Sequence, residues 1–578
     1  MNCNRPLTLI SLGRNVPLIA AMLAASVNVP ADGHPGHTHG HGEAGRLPTA
    51  ALAAYDYAET EPPLWSNLGT LSYRIKTHDK LAQRYFDQGL RLSYAFNHLE
   101  ARRAFRKAQK LDPSCAMCFW GEALVLGPNI NAPMEPAAIA PASSAIGQAR
   151  TLVRQGPRKE RALIEALAKR YAGNSEAGRK TLDQTYAEAM GKLYRRYPTD
   201  DEIAVLYAES LMDLSPWDYW EEDRHTPKGR TTEILQVLER VLARNPDHPG
   251  AIHYYIHVVE SSDRPERAEA HADRLARLMP GAGHMVHMPG HLYYRLGRYR
   301  DALEANRAAI AADEAYLKET GAKGIYALAY YPHNVHFLMV SAQMAGDGAM
   351  ALDTAGKLAT VIADDAVRAV PWAQPIKAAP YFAQAQFGTP EAVSKLADPG
   401  SEFPYVQAMW RYARGVAAAR QTAVREAQTE LNALLRLETT ADFSALSAAG
   451  VPAPDLVHIA GEVLRARIAQ ARGESAQAVA AFERAAAQQE KLPYMEPPYW
   501  YYPVRRSLGA LKFLAGDLAG AERELRASLE QAPNDAWALW ALAEVQRKRG
   551  NMSAAAETQR ILEKVRAGNQ SPLAMDRL

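Results

Sequence analysis

The chain repeats itself every 34 residues, and that period constrains the fold more than any other feature. Segments 249–282 and 283–316 align without gaps, as do 502–535 and 536–569, and 459–492 follows the same pattern. Small residues fall at repeat positions 8 and 20, a large apolar one at 24 and proline at 32. One copy has Gly509, Ala521, Leu525 and Pro533; another has Ala478 and Phe482. Near the N-terminus, 82–115 supplies Gly89, Ala101, Phe105 and Pro113, and Ala116 opens the next copy. A unit of this length makes two antiparallel helices, and the small residues let those helices approach closely. One pair cannot bury its apolar face alone, so neighbours stack into a continuous core. About seven copies are recognisable, while 140–248 and 351–458 read as helical but degenerate. No segment alternates like a half-buried strand, so the predicted class is all-α, a solenoid of antiparallel helix pairs.

Composition limits what such a solenoid can do. Over 578 residues, 66 lysines and arginines face 64 acidic residues, a formal charge of +2. That balance excludes a nucleic-acid binder driven by bulk charge, and a hydrophobic share of 48% excludes a disordered chain. Residues 1–31 read as a secretory signal: Arg5 and Arg14, then an apolar core from Val16 to Val27, then Val29-Pro30-Ala31 as a cleavage site. The apolar run is too short to span a bilayer, so the expectation is a periplasmic or secreted protein without a membrane span. Behind it, 32–62 reads as a flexible His-rich tail. The remaining layout is a helical region over 63–248, histidine-rich repeats over 249–350 and further repeats over 351–578. Gly127 to Pro141, Ser215 to Trp220 and Met495 to Pro503 read as loops.

Cys115 and Cys118 form a lone Cys-x-x-Cys. It could be a redox dithiol, half a zinc site or a local disulfide. No second pair exists to complete a four-cysteine zinc site, and a closed disulfide at a helix start is the expectation for an oxidising compartment.

The chemistry-bearing feature is the register of the histidines. Eight of 17 lie between 253 and 336, and all but His271 fall on the first helices of three successive repeats. With repeats counted from 249, 283 and 332, position 5 is His253, His287 and His336. Position 9 is His257 and His291, and position 2 is His284 and His333. These positions share one helix face, and first helices line the concave surface, so seven imidazoles are predicted to converge on one concave patch. Neutral imidazole is the commonest metal ligand, and i, i+4 pairs on adjacent helices can supply the three or four nitrogens that an ion needs. One or two copper or zinc ions are expected, with copper ahead in intrinsic affinity. Met285, Met288 and Met339 would suit Cu(I), although methionines at helical spacing more often fill a core. Glu260, three residues after His257, is the candidate general base beside a metal-activated water.

The chain resembles the tetratricopeptide-repeat (TPR) proteins in their exported bacterial form. The likeness rests on the 34-residue pattern, on Tyr-Pro-His-Asn-x-His-Phe at Tyr331 to Phe337, on His-Met-Pro-x-His at His287 to His291, and on Cys-x-x-Cys-x-Trp-Gly at Cys115 to Gly121. The resemblance implies a fold and carries no activity with it. His-Glu-x-x-His, Gly-x-Ser-x-Gly and a phosphate loop are all missing. Two functions stand side by side. One is a metalloprotein, with or without turnover. The other is a scaffold whose groove binds a peptide or protein partner, with Tyr293, Tyr294, Tyr330 and Tyr331 as groove contacts. A separate ion site is expected at the mature N-terminus: cleavage after Ala31 leaves Asp32-Gly33-His34, whose amine, two backbone nitrogens and His34 imidazole suit square-planar Cu(II) or Ni(II). His37, His39 and His41 follow at once.

Overall fold

The computed structural model describes residues 61–172, 178–322, 324–568 and 574–578. Among them all repeating structure is helical, and β-pairing is confined to the isolated bridges Asn129–Ala132 and Trp220–Pro227. The helix pair Lys80–Tyr94 and His98–Leu111 shows why the repeat folds as it does. The Asp79 side chain accepts from the amides of Leu81 and Ala82, at 2.6 and 3.0 Å, and Asn97 caps the second helix through the Glu100 amide at 3.3 Å. Each cap satisfies helix N–H groups that have no partner within the helix. Phe105 then wedges between two glycines, one on its own hairpin and one on the next. A Cβ on Gly89 would lie 2.7 Å from the Phe105 ring, and one on Gly121 would lie 2.4 Å from it. Small at position 8 and large at position 24 is therefore a single contact seen from both sides.

Segments with a degenerate repeat pattern fold into the same unit. Arg179–Arg196 pairs with Asp201–Met212, and Pro404–Arg420 with Val424–Thr440. The result is an all-α, TPR-like solenoid. Apolar side chains gather into two large cores, one from Leu68 to Leu292 with Tyr326 and Tyr330, the other from Tyr294 to Leu511. They meet within helix Pro289–Arg295. The C-terminal repeats return to this region: Trp537 Nε1 donates to the Gln343 carbonyl at 3.1 Å, and the Ala567 amide to the Ala345 carbonyl at 2.9 Å. No helix among the described residues is long and apolar enough to cross a membrane.

Phe105 is fully buried, so Phe105→Ala leaves a cavity between two hairpins at once. The expected cost is about 3–5 kcal/mol, read as an earlier urea transition than that of the unmodified chain.

Candidate metal centre

Three successive first helices carry the histidines. His253 and His257 lie on Pro249–Val259, with Glu260 as its C-cap. The second first-helix is broken: Gly283–His287 carries His284 and His287, and Pro289 starts a new segment, Pro289–Arg295, carrying His291. His333 and His336 lie on Tyr331–Ala345. The extra residues between the second and third repeats are absorbed by a 22-residue helix, Tyr299–Thr320, and a π-helical turn, Tyr326–Tyr330.

Six of the seven rings form two triads, joined through their Nε2 atoms. In the first, His253 Nε2 lies 3.0 Å from His257 Nε2 and 3.1 Å from His284 Nε2. In the second, His291 Nε2 lies 2.7 Å from His287 Nε2 and 3.4 Å from His333 Nε2. Across the gap between triads, ring centres of His257 and His291 are 5.9 Å apart, and those of His284 and His287 are 6.0 Å apart.

The partners of the other ring nitrogens decide where the protons sit. His253 Nδ1 lies 2.6 Å from the Tyr94 carbonyl, which can only accept, so Nδ1 carries the proton. His257 Nδ1 and His291 Nδ1 donate to the two oxygens of Glu260, at 2.8 and 2.5 Å. His287 Nδ1 donates to Asn306 Oδ1 at 2.6 Å, and the Asn306 amide is oriented by its own donation to the Ala302 carbonyl at 2.7 Å. Gly290 leaves room for this: a Cβ there would lie 2.8 Å from Asn306 Nδ2. These outer partners fix the tautomers and aim four Nε2 lone pairs inward, the task that outer-shell groups perform in metal sites.

Electrostatics separates the two triads. Burial pushes His253 and His284 well below the ordinary histidine range, and the neighbouring imidazoles add to the effect. Burial lowers His257 too, against the pull of Glu260. No proton is therefore held in the first triad to separate the lone pairs of His253 and His257. In the second triad burial also opposes a proton on His291, but the charge and hydrogen bond of Glu260 prevail and raise it. Burial likewise works against the charge on Glu260, yet His291 and His257 outweigh it and hold the carboxyl down at about 2.

Each triad is walled by a phenylalanine. Phe96 stands 4.5 Å from His253 and 5.4 Å from His284, centre to centre, and Phe337 stacks on His291 at 4.8 Å, almost parallel. Trp217 meets His257 edge-on at 5.0 Å, and Tyr330 meets His284 at 4.9 Å.

Several residues stand elsewhere than the sequence suggests. The histidines do not line an open concave patch: except for the half-buried His333, all seven are at most 3% exposed, beneath aromatic walls. His336 joins neither triad: position 9 of its repeat is Val340, not histidine, and its Nε2 pairs with the Tyr501 hydroxyl at 2.9 Å. Glu260 has both oxygens occupied by histidine N–H groups, so it orients two rings instead of standing free as a base. Tyr293, Tyr294, Tyr330 and Tyr331 are buried, not groove contacts. Met285, Met288 and Met339 pack into the apolar cores. Cys115 and Cys118 are bonded to each other at the start of helix Ala116–Val125. The signal segment, the tail and His34 lie outside the described residues. Pattern reading missed Phe96, Trp217 and Asn306. Of these only Asn306 left a trace, as a polar residue at repeat position 24, where the pattern wants an apolar one.

No family model and no curated protein sequence matches the chain. Among solved structures it is similar to a human IFIT1 dimer with m7Gppp-AAAA, at 12% identity and a TM-score of 0.30, over 85% of this chain and 91% of that one. It is also similar to yeast Tom70, at 11% identity and a TM-score of 0.27, over 84% and 92%. The APC/C hetero-tetramer Cut9–Hcn1 matches at 12% and 0.30, over 82% and 78%. These are likenesses of helical-repeat architecture, and they say nothing about the histidines.

Beneath the centre, Asp313 accepts from the Tyr326 hydroxyl and the Asn334 amide, at 2.8 and 2.7 Å. Burial raises its carboxyl from the ordinary aspartate value to about 7. A carboxyl raised by folding favours the folded state at low pH, and that advantage is lost as pH climbs from about 4 through 7. The buried histidines, lowered by folding, act in the opposite sense and favour the folded state as pH rises through the same window. Melting curves of the metal-free Asp313→Asn chain should therefore gain stability with rising pH more steeply than those of the unmodified chain; an unchanged slope would remove Asp313 as a contributor.

Proposed function

We propose that this protein is a metalloprotein that binds two transition-metal ions, one in each histidine triad, with copper as the intended metal and zinc as the competitor. The observation that carries the reading is the pair of buried Nε2 clusters, three imidazole nitrogens drawn together in each triad. An ion bound at about 2.0–2.1 Å sets neighbouring nitrogens about 2.9 Å apart at right angles and about 3.4 Å apart at the tetrahedral angle. Contacts of 3.0, 3.1 and 3.4 Å fall within the edges of such a polyhedron, and the 2.7 Å pair His287–His291 lies just inside it. Three protein ligands leave a fourth position free, as in catalytic sites and unlike closed structural ones. We therefore read the pair as a reactive or ligand-binding centre, in which Glu260 holds His257 and His291 in place. The set His257, Glu260 and His291 also lies within ligand reach, but its short contacts are the hydrogen bonds that turn the Nε2 atoms inward. In this reading the metal is met outside the cytoplasm, where the segment over 1–31 would send the chain. A partner-binding use of the solenoid rests on its architecture alone.

The test uses protein made without an affinity tag, with His34, His37, His39 and His41 changed to asparagine so that only the two triads report. After copper or zinc loading and dialysis, elemental analysis should give two ions per chain. The pair His253→Ala with His257→Ala should leave one, and so should His287→Ala with His291→Ala. A folded chain that retains no metal sinks the reading. Glu260→Gln should weaken binding about 10–100-fold while keeping all six ligands, measured by competition with a chelator.

A further inference from the structure

A cavity of about 230 Å³ opens against the first triad, and nothing in the metal reading requires it. Its walls are mostly hydrocarbon and aromatic, among them Val125, Leu328, Trp372 and Ile376. Phe96 and Tyr330 also line it, and these are the two rings that stand against His253 and His284. The cavity and the triad thus share a wall one side chain thick, formed by these two rings. We propose that this cavity binds a small, uncharged aromatic molecule and presents it to the first triad.

Two backbone departures hold that wall in place. Phe96 adopts φ of 55°, the left-handed region that a bulky residue avoids. The turn itself belongs to the repeat, since Gly297, Gly346, Gly473, Gly516 and Gly550 hold positive φ at the same position; a phenylalanine there, at a cost of about 1–3 kcal/mol, is particular to this copy. Tyr330 is the last residue of the π-helical turn Tyr326–Tyr330, a rare geometry found mostly at functional sites. Both residues aim a ring at the boundary between cavity and histidines.

The charge at the cavity argues for an uncharged guest. His98 lines it, but burial lowers its ring to about 4, so it is neutral at pH 7. Arg102 is already paired with Glu122 at 3.1 Å, and burial raises the Glu135 carboxyl. No free cation is left to receive an acid. An apolar cavity of about 150 Å³ suffices for benzene, so this one has room for a substituted ring. Phe337, the ring against the second triad, does not line this cavity and is fully buried between its histidines and Tyr294.

Binding to the cavity needs no ion, whereas presentation to the triad rests on the metal reading, and the experiment separates them. Phenol, toluene and benzoate are titrated into the full chain, metal-free and copper-loaded, by calorimetry. Metal-free protein should bind phenol and toluene saturably, and benzoate at least tenfold more weakly. Ala369→Trp, from an exposed position on the cavity wall, should weaken phenol at least tenfold with the melting temperature and copper content unchanged. Ala329→Trp fills the cavity from the opposite wall and should do the same. In copper-loaded protein phenol should shift the Cu(II) absorption band, and neither filled variant should show that shift. The proposal is overturned by no saturable binding, by benzoate binding best, or by undiminished binding in both filled variants. Phenol binding that survives in a chain unable to take up copper would leave the cavity standing and end the metal reading.

Discussion

Glu260 is buried completely, and among the described residues its carboxylate pairs with no lysine or arginine, only with His257 and His291. A charge taken out of water at that depth costs several kcal/mol unless hydrogen bonds answer it. The two imidazole N–H groups do so, and both triads take their geometry from that compensation. Each bond fixes one ring of one triad, so a single carboxylate sets the orientation of both halves and their spacing. Arg295 supports the same residue from behind, donating to the Glu260 carbonyl at 3.0 Å and the Ser262 carbonyl at 2.9 Å. If the carboxylate were lost, both Nδ1 protons would need new partners in a site that water barely reaches. The rings would then be free to turn their donors inward.

The repeat supplies the frame for this compensation. Stacked hairpins bring first helices side by side, and i, i+4 spacing brings His253 to His257 and His287 to His291 on adjacent turns. A regular solenoid would stop there, with the rings facing the groove. Pro289 interrupts the middle helix, so that His284 and His287 sit on one short segment and His291 on another. One first helix serves both triads all the same: His284 turns to the first, while His287 and His291, from either side of the break, form the second. The centre lies where the two apolar cores meet, and burial follows from that location.

The fold was legible because its signal is local and repeated: Gly89, Ala101 and Phe105 state the packing rule within one hairpin, and the next hairpin states it again. Six of the seven histidines were legible for the same reason, since register on a helix face survives translation into three dimensions. What escaped was everything carried by distant chain. Tyr94 contributes a carbonyl, which has no sequence signature. Phe96 and Trp217 come from turns with φ of 55° and 65°; the first is the hairpin turn at which other copies carry glycine, and neither turn tells from sequence that its ring reaches a histidine on a distant helix. His336 shows the converse limit. It holds the same repeat position as His253 and His287, but position 9 of its own repeat is Val340, so no histidine stands at i+4 to pair with it and it bonds to Tyr501. Repeat position thus specifies a face, while membership of a triad needs a position-9 partner and a position-2 histidine from the next repeat, as His284 and His333 supply.

Burial beneath aromatic walls, instead of display in a groove, has a chemical consequence for the two-ion reading. Imidazoles kept from water resist protonation, as the lowering of His253, His284, His287 and His333 shows. Their lone pairs therefore stay available to a metal at pH values where exposed histidines would begin to lose them to protons. The same burial penalises uncompensated charge. Six neutral ligands and one carboxylate offer little to offset two divalent ions, which bring four positive charges into a poorly solvated site. Two monovalent copper ions bring half as many, and imidazole accepts that metal readily. A divalent pair would need an anion in the open positions between the triads, so the resting occupant and its oxidation state are tied together by the charge that this interior tolerates.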